Sequence, residues 1–136
     1  MAKKIHLDVV TPDRKVVSAD TEEVIAPGAT GLFGVRAGHA PFLTLVEPGE
    51  LSFKTDGQMR RYAVGGGFIE VAGDRVIVLA DTAEADQEID LERARRASED
   101  ALTRLATLNA TDPEARLQRA RVRRATARIQ VATHRR

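Results

Sequence analysis

The sequence predicts a β + α chain: an N-terminal antiparallel β-sandwich, or flattened barrel, followed by a C-terminal antiparallel two-helix hairpin. Three observations carry this. The first 80 or so residues alternate apolar and polar side chains between closely spaced Gly and Pro turns. The last 50 or so place small apolar residues three and four apart. Between them DTAEADQEIDLERAR, residues 81–95, changes from one period to the other. The expected division is a sandwich over residues 1–85 and a helical hairpin over 86–136.

In residues 4–10, Ile5, Leu7 and Val9 fall on one face and His6 and Asp8 on the other, the period of a half-buried strand. Thr11, Pro12 and Asp13 form a turn, because proline fixes its own φ and aspartate bonds nearby backbone. Val16–Val17 and residues 23–26 read as two further strands, the second stopped by the run from Pro27 to Gly31. In residues 31–45, three glycines within eight residues imply turns, and Ala40 is held extended ahead of Pro41. His39 has no Cys, Ser or carboxylate near it in a recognisable arrangement, so it reads as structural rather than catalytic.

Pro48–Gly49 reads as a turn, Leu51 and Phe53 as an alternating strand, and Asp56–Gly57 as a hairpin returning through residues 59–64. The triplet Gly65–Gly66–Gly67 is not a phosphate loop: no helix and no Lys-Ser/Thr pair follows, and Phe68 to Val71 is strand-like. It marks a bend or bulge at a sheet corner. RVIVLA, residues 75–80, is a continuous apolar run fit for a buried strand.

Asp86 reads as the N-cap of the first helix, with Gln87, Glu88 and Asp90 placing acceptors and negative charge at the positive end of the helix dipole. Its seam runs Leu91, Ala94, Ser98, Ala101, Leu105, Leu108. Asp112 followed by Pro113 starts the second helix, whose seam is Ala115, Gln118, Val122, Ala125, Ile129 and Ala132. Such a short connection joins antiparallel neighbours. An alanine-rich seam buries little area, so the hairpin is expected to be able to undock.

Charge is divided unevenly. Residues 1–86 hold 9 Lys+Arg against 13 Asp+Glu, a net −4, and residues 87–136 hold 12 against 7, a net +5. From Pro113 onward there are eight arginines and one acid, Glu114, more than the helix can pair internally. Such an arm is either a solvated helix surface or is drawn to an acidic partner, nucleic acid or an acidic protein surface. No aromatic residue follows Phe68, which argues against single-strand stacking and leaves duplex phosphate contact open.

Composition excludes other classes. With 43% hydrophobic and 30% charged residues the chain is globular rather than disordered. No run approaches a spanning helix, and the N-terminus lacks the apolar core of a signal peptide, so a cytosolic chain is expected, with membrane association only through a partner. Without cysteine there is no disulfide or thiolate metal site, and no acid/base pair, nucleophile or metal cluster marks an enzyme.

Five stretches, HLDVVTPD (6–13), GLFGVRAGHAP (31–41), GGGFIEV (65–71), VIVLADTAE (76–84) and IDLERA (89–94), in this order and spacing, resemble the epsilon subunit of the bacterial F-type ATP synthase over nearly the whole chain. The resemblance implies a non-catalytic rotor subunit requiring no cofactor. Its sandwich would bind the gamma subunit and the c-subunit ring, at the cytoplasmic face of the plasma membrane, and no nucleic acid. Its helices would extend toward the catalytic alpha/beta subunits to oppose ATP hydrolysis, with Arg116, Arg119 and Arg123 as beta-subunit contacts. It also implies ATP as a regulatory ligand of the folded hairpin: Ile89, Asp90, Arg93 and Ala94 match the family's motif, joined by Glu84, Arg124 and Arg128. Asp100 adds an acid where such a site favours a base. Relatives often carry an acidic residue where this chain has Leu32, and proline where it has Ala37, leaving Leu32, Arg36 and His39 as the candidates for the c-ring and gamma interface.

Overall fold

A computed structural model describes residues 3–134. Arg135 and Arg136, two of the arginines counted for the second helix, lie outside the described residues. Eight strands occur among the described residues: β1 (Ile5–Val10), β2 (Lys15–Thr21), β3 (Glu23–Gly28), β4 (Gly31–Val35), β5 (Phe42–Thr55), β6 (Gln58–Ala72), β7 (Arg75–Ala80) and β8 (Ala83–Ala85). They pair in the order β2-β1-β7-β6-β5-β3-β4, with β8 added beside β6. All pairs are antiparallel except β1 with β7, where His6 to Val10 runs parallel to Arg75 to Leu79.

Strands β5 and β6, of 14 and 15 residues, belong to both halves of the sandwich. The first part of β5, Phe42 to Val46, pairs with Gly67 to Val71 beside β7. Its second part, Pro48 to Thr55, pairs with Gln58 to Gly65, and from Ser52 to Lys54 also borders β3. Pro48–Gly49 is therefore not the expected turn. It is a bend inside one strand, with Pro48 opposite Gly65 and Gly49 opposite Val64. The glycine triplet likewise interrupts nothing: β6 runs through it and bends there. At Gly67, with φ 145°, a Cβ would strike the Leu79 carbonyl oxygen, so the strand can cross from one layer to the other only with glycine at this place.

Alternation on the strands fills the space between layers. Ile5, Leu7 and Val9 of β1 and Val76 and Val78 of β7 join Val24, Val35, Leu51, Phe53 and Ile69 in one buried core. Edge strand β2 also reaches the end of β5, with the Thr55 hydroxyl donating to the Asp20 carbonyl at 2.8 Å and, from the β2–β3 link, Glu22 N–H to the Lys54 carbonyl at 2.8 Å, so the sheet folds back on itself into a sandwich that stays open at β4.

Helix α1 spans Leu91–Leu105 and α2 spans Pro113–His134. The expected cap at Asp86 is corrected by the structure. Residues Asp86–Glu88 form a 3₁₀ turn, and Asp90 caps α1, its side chain accepting from the Arg93 N–H at 3.1 Å. The cause is Ile89, extended at φ −85° and ψ 125°, which puts its side chain into an apolar cluster and so interrupts the helix. Asp112 starts α2 as its residue type dictates, accepting from Glu114 N–H at 2.8 Å.

The expected seams are buried at Ala94 and Ala101 on α1 and at Ala115, Gln118, Ala125 and Ala132 on α2. A second buried edge on α2 departs from the single seam: Ala127 and Val131, with Ala132, meet Ala63 of β6 and Ile89 in a small cluster of their own. Helix α2 thus packs on two sides, against α1 and against the sandwich. At the far end the Arg104 guanidinium grips Glu114 through two nitrogens, Nη2 lying 2.8 Å from Oε1, and ties the end of α1 to the start of α2.

Candidate functional site

A cavity of about 650 Å³ lies between the sandwich and both helices. Its floor is the bend of β6 at Gly65 with Thr82 beyond it, and its charged rim is Glu84, Asp100, Arg121, Arg124 and Arg128. Arg124 lies over Gly65, its Cδ 3.5 Å from where a Cβ would be. Two ion pairs close the ends. Arg128 Nε stands 2.9 Å from Glu84 Oε1, and Arg104 holds Glu114. The hydrogen bonds and charge of Arg104 push the Glu114 carboxyl below the ordinary glutamate range, and Glu114 in turn raises the guanidinium. Arg121 and Arg124 face the cavity without an ion pair among the described residues, with Asp100 as the acid outside the two closing pairs, which suits a ligand carrying phosphate.

Of the seven residues expected to hold a nucleotide, the structure brings three together here, Glu84, Arg124 and Arg128. Ile89, Asp90, Arg93 and Ala94 do not line the cavity. Ile89 is 7% exposed and Ala94 fully buried, both as packing, and Asp90 is engaged as the cap of α1.

At the tip of the sandwich, Leu32 on β4 is 68% exposed and open to a partner. Arg36 is not a free cation, since its Nε lies 3.1 Å from Glu23 Oε2. His39 bonds the Ala40 carbonyl through Nδ1 at 2.7 Å and sets its ring 5.0 Å from that of Phe42, so it braces the loop. On the hairpin, Arg116, Arg119 and Arg123 border an open depression with Leu105 and Val122, and Arg123 also reaches Glu47 of β5 at 3.5 Å.

Two features went unread in the sequence. The outer face of the β5–β6–β7 sheet carries Leu43, Leu45, Phe68 and Leu79, each at least half exposed, with Leu45 opposite Phe68 and Phe68 opposite Leu79. The hairpin leaves this apolar row uncovered. Strict alternation would have found it: with Val76, Val78 and Ala80 turned inward, Leu79 must point out, although a continuous apolar run reads as buried on both sides. Beside the row, on the same side of β1, Asp8 is only 6% exposed, shielded by neighbouring side chains on the sheet surface. Its carboxylate faces His6 at 3.3 Å, Arg75 at 3.5 Å and Lys15 at 3.8 Å. Burial alone would raise its pKa, but the Ser18 hydroxyl and the charges of Lys15 and His6 outweigh it and hold the group below the usual carboxylate range.

Among the described residues no group of three or more His, Cys, Asp or Glu side chains is placed to hold a metal ion, and no helix is long and apolar enough to cross a membrane.

Residues 4–86 match the family described as ATP synthase, Delta/Epsilon chain, beta-sandwich domain. The ATP synthase epsilon chain of Anaeromyxobacter sp. (strain K) is 56% identical over 128 residues, covering 94% of this chain and 97% of the relative. That of Myxococcus xanthus (strain DK1622) is 46% identical over 129 residues, covering 95% of each. In fold the chain is similar to one in the cryo-EM structure of the Euglena gracilis mitochondrial ATP synthase OSCP/F1/c-ring assembly, with a TM-score of 0.75 at 24% identity, covering 90% of this chain and 76% of that one. These relatives give no support to a nucleic-acid-binding arm.

Proposed function

This chain belongs to the ATP synthase epsilon family, a non-catalytic subunit of the complex, and from that premise we propose that it works as a two-part rotor element whose sandwich stays docked while its hairpin moves. The sandwich, residues 1–85, binds the gamma subunit and the c-subunit ring; the hairpin, residues 86–136, extends toward the alpha/beta subunits and opposes ATP hydrolysis. The complex sits at the cytoplasmic face of the plasma membrane, and this subunit reaches the membrane only through its partners.

The observation that carries the reading is the separation of two surfaces. The apolar row Leu43, Leu45, Phe68 and Leu79 lies open with the hairpin folded, as a permanent interface requires. The hairpin is held to the sandwich by a cluster containing just two sizeable buried side chains, Ile89 and Val131. One surface is built to stay bound and the other to let go. Leu32 at the sandwich tip extends the fixed surface toward the ring, and Arg116, Arg119 and Arg123 are the contacts offered to the beta subunit.

ATP is the proposed ligand of the cavity, with Arg121 and Arg124 taking phosphate oxygens and Asp100 accepting from the adenine amine or the ribose. Because the cavity exists only with the hairpin folded, ATP would favour that state by its differential affinity alone.

Deleting residues 87–136 in the assembled synthase is expected to raise ATP hydrolysis while the truncated chain still co-purifies with the gamma subunit. An unchanged hydrolysis rate would remove the inhibitory role. Calorimetry on the isolated chain should show ATP heat that is lost in Arg124→Ala, and no heat at millimolar ATP would sink the ligand.

A further inference from the structure

Helix α2 carries arginines at 116, 119, 121, 123, 124 and 128 against the single acid Glu114. Where it lies on the sandwich, the sandwich offers carboxylates. Glu47 of β5 meets Arg123 at 3.5 Å, Glu84 of β8 meets Arg128 at 2.9 Å, and Glu50 of β5 takes the Nδ1 of His134 at 2.8 Å with Arg61 3.8 Å away on its other side. These three acids form a track along the landing surface of the helix, at the margin of the small apolar cluster. The Arg128–Glu84 pair, its side chains 23% and 32% exposed, is more enclosed than the Arg123–Glu47 pair at 58% and 37%.

We propose that this acidic track is a built-in competitor: the sandwich occupies Arg123 and Arg128 with its own carboxylates, so that the arm can engage an acidic protein surface only by leaving Glu47 and Glu84. Docking and capture are then mutually exclusive by charge, with no nucleotide needed to set the balance. This inference rests on the hairpin being mobile, as proposed above, and adds what holds it and what displaces it. The chemistry of the displacing partner is read from the track itself, since the surface that the arm already accepts is a row of glutamates. Guanidinium–carboxylate pairing at these distances is screened by salt, so the balance shifts with ionic strength.

The test uses the full chain in nucleotide-free buffer, with polyglutamate as the probe. The chain has no cysteine, so spin labels at Gln58→Cys and Gln130→Cys report the distance between β6 and α2 without a background. Neutralising the track with Glu47→Gln and Glu84→Gln should tighten polyglutamate binding about tenfold at low salt, the scale expected for releasing two partly exposed ion pairs that limit the competent fraction. The same change should lengthen the label distance, and saturating polyglutamate should lengthen it in the parent chain. Removing the partners instead, with Arg123→Gln and Arg128→Gln, should lengthen the distance equally and yet weaken polyglutamate binding, which separates competition from simple loosening. Equal affinity in the parent and the track variant, or a label distance that saturating polyglutamate leaves unchanged, overturns the proposal. Because no synthase is present, that failure is distinct from a truncation that leaves hydrolysis unchanged.

Discussion

Val131 decides how firmly the hairpin lies on the sandwich. It is fully buried in the cluster with Ala63, Ile89, Ala127 and Ala132, where three of the five members are alanines. Val131→Ala removes two methyl groups from this contact and nothing from the sandwich core. At about 0.8 kcal/mol per buried carbon the loss is about 1.6 kcal/mol, which multiplies the opening constant of the docked helix by about fifteen. The loss is local, because the cluster is separate from the main core of Ile5, Leu7, Phe53 and their neighbours. Amide hydrogen exchange followed by mass spectrometry should therefore show about fifteen-fold faster exchange in peptides from the last turns of α2, with peptides from β6 and β7 unchanged. Exchange that rises equally in the sandwich would mean that hairpin and sandwich open as one unit. Exchange that does not rise in α2 would mean that the ion pairs alone hold it. Either result refutes the argument from packing.

Gly67→Ala sets a Cβ against the Leu79 carbonyl at φ 145°, and the β6–β7 pairing must give way; urea unfolding should show a loss of at least about 3 kcal/mol, and a fully stable variant would contradict the crossing described at this bend. Asp90→Ala removes the acceptor of the Arg93 N–H and should cost about 1 kcal/mol of local stability, read as fraying of the first turn of α1, whereas Asp86→Ala leaves that turn intact. Glu114 gives a pH dependence whose sign follows from Arg104, which holds its folded pKa below the unfolded value. The clasp therefore contributes fully above the ordinary glutamate range and is lost as pH falls through the lowered folded value; protection from exchange at the α1–α2 connection, taken relative to each amide's intrinsic rate, should fall in acid through that window, and Glu114→Gln should abolish the dependence.

The division into strands and helices was legible because each half obeys a single period, and both Asp112–Pro113 and the alternation in residues 4–10 have one structural meaning. What escaped reading depended on partners far along the chain. Pro48–Gly49 carries every local mark of a turn, yet the ladder to Gly65 and Val64 keeps β5 extended through it. Asp86 and Asp90 are equally good caps by residue type, and only the demand of the distant Ala63 and Val131 for the Ile89 side chain moves the helix start to the second. The same demand puts Ala127 and Val131 on a second face of α2, which a search for one seam overlooks. In the cavity, Glu84, Arg124 and Arg128 line one space, while Ile89 and Ala94 of the motif serve packing. A motif fixes residue types and spacing; it does not fix which side of the backbone faces the space.

The passage of β5 and β6 through both layers has a mechanical meaning. In an ordinary sandwich the two sheets are joined by loops and can slide over one another, resisted only by side-chain packing. Here sliding would have to tear the continuous β5–β6 ladder, which runs from the Phe42–Val71 pair to the Thr55–Gln58 pair. The sandwich is therefore stiff in shear, and a twisting load applied at Leu45 and Phe68 travels along these strands to Pro48 and Gly65 without being absorbed between the layers. Compliance is left to the attachment of the helices, so resistance to twisting and the freedom to yield are made from different contacts.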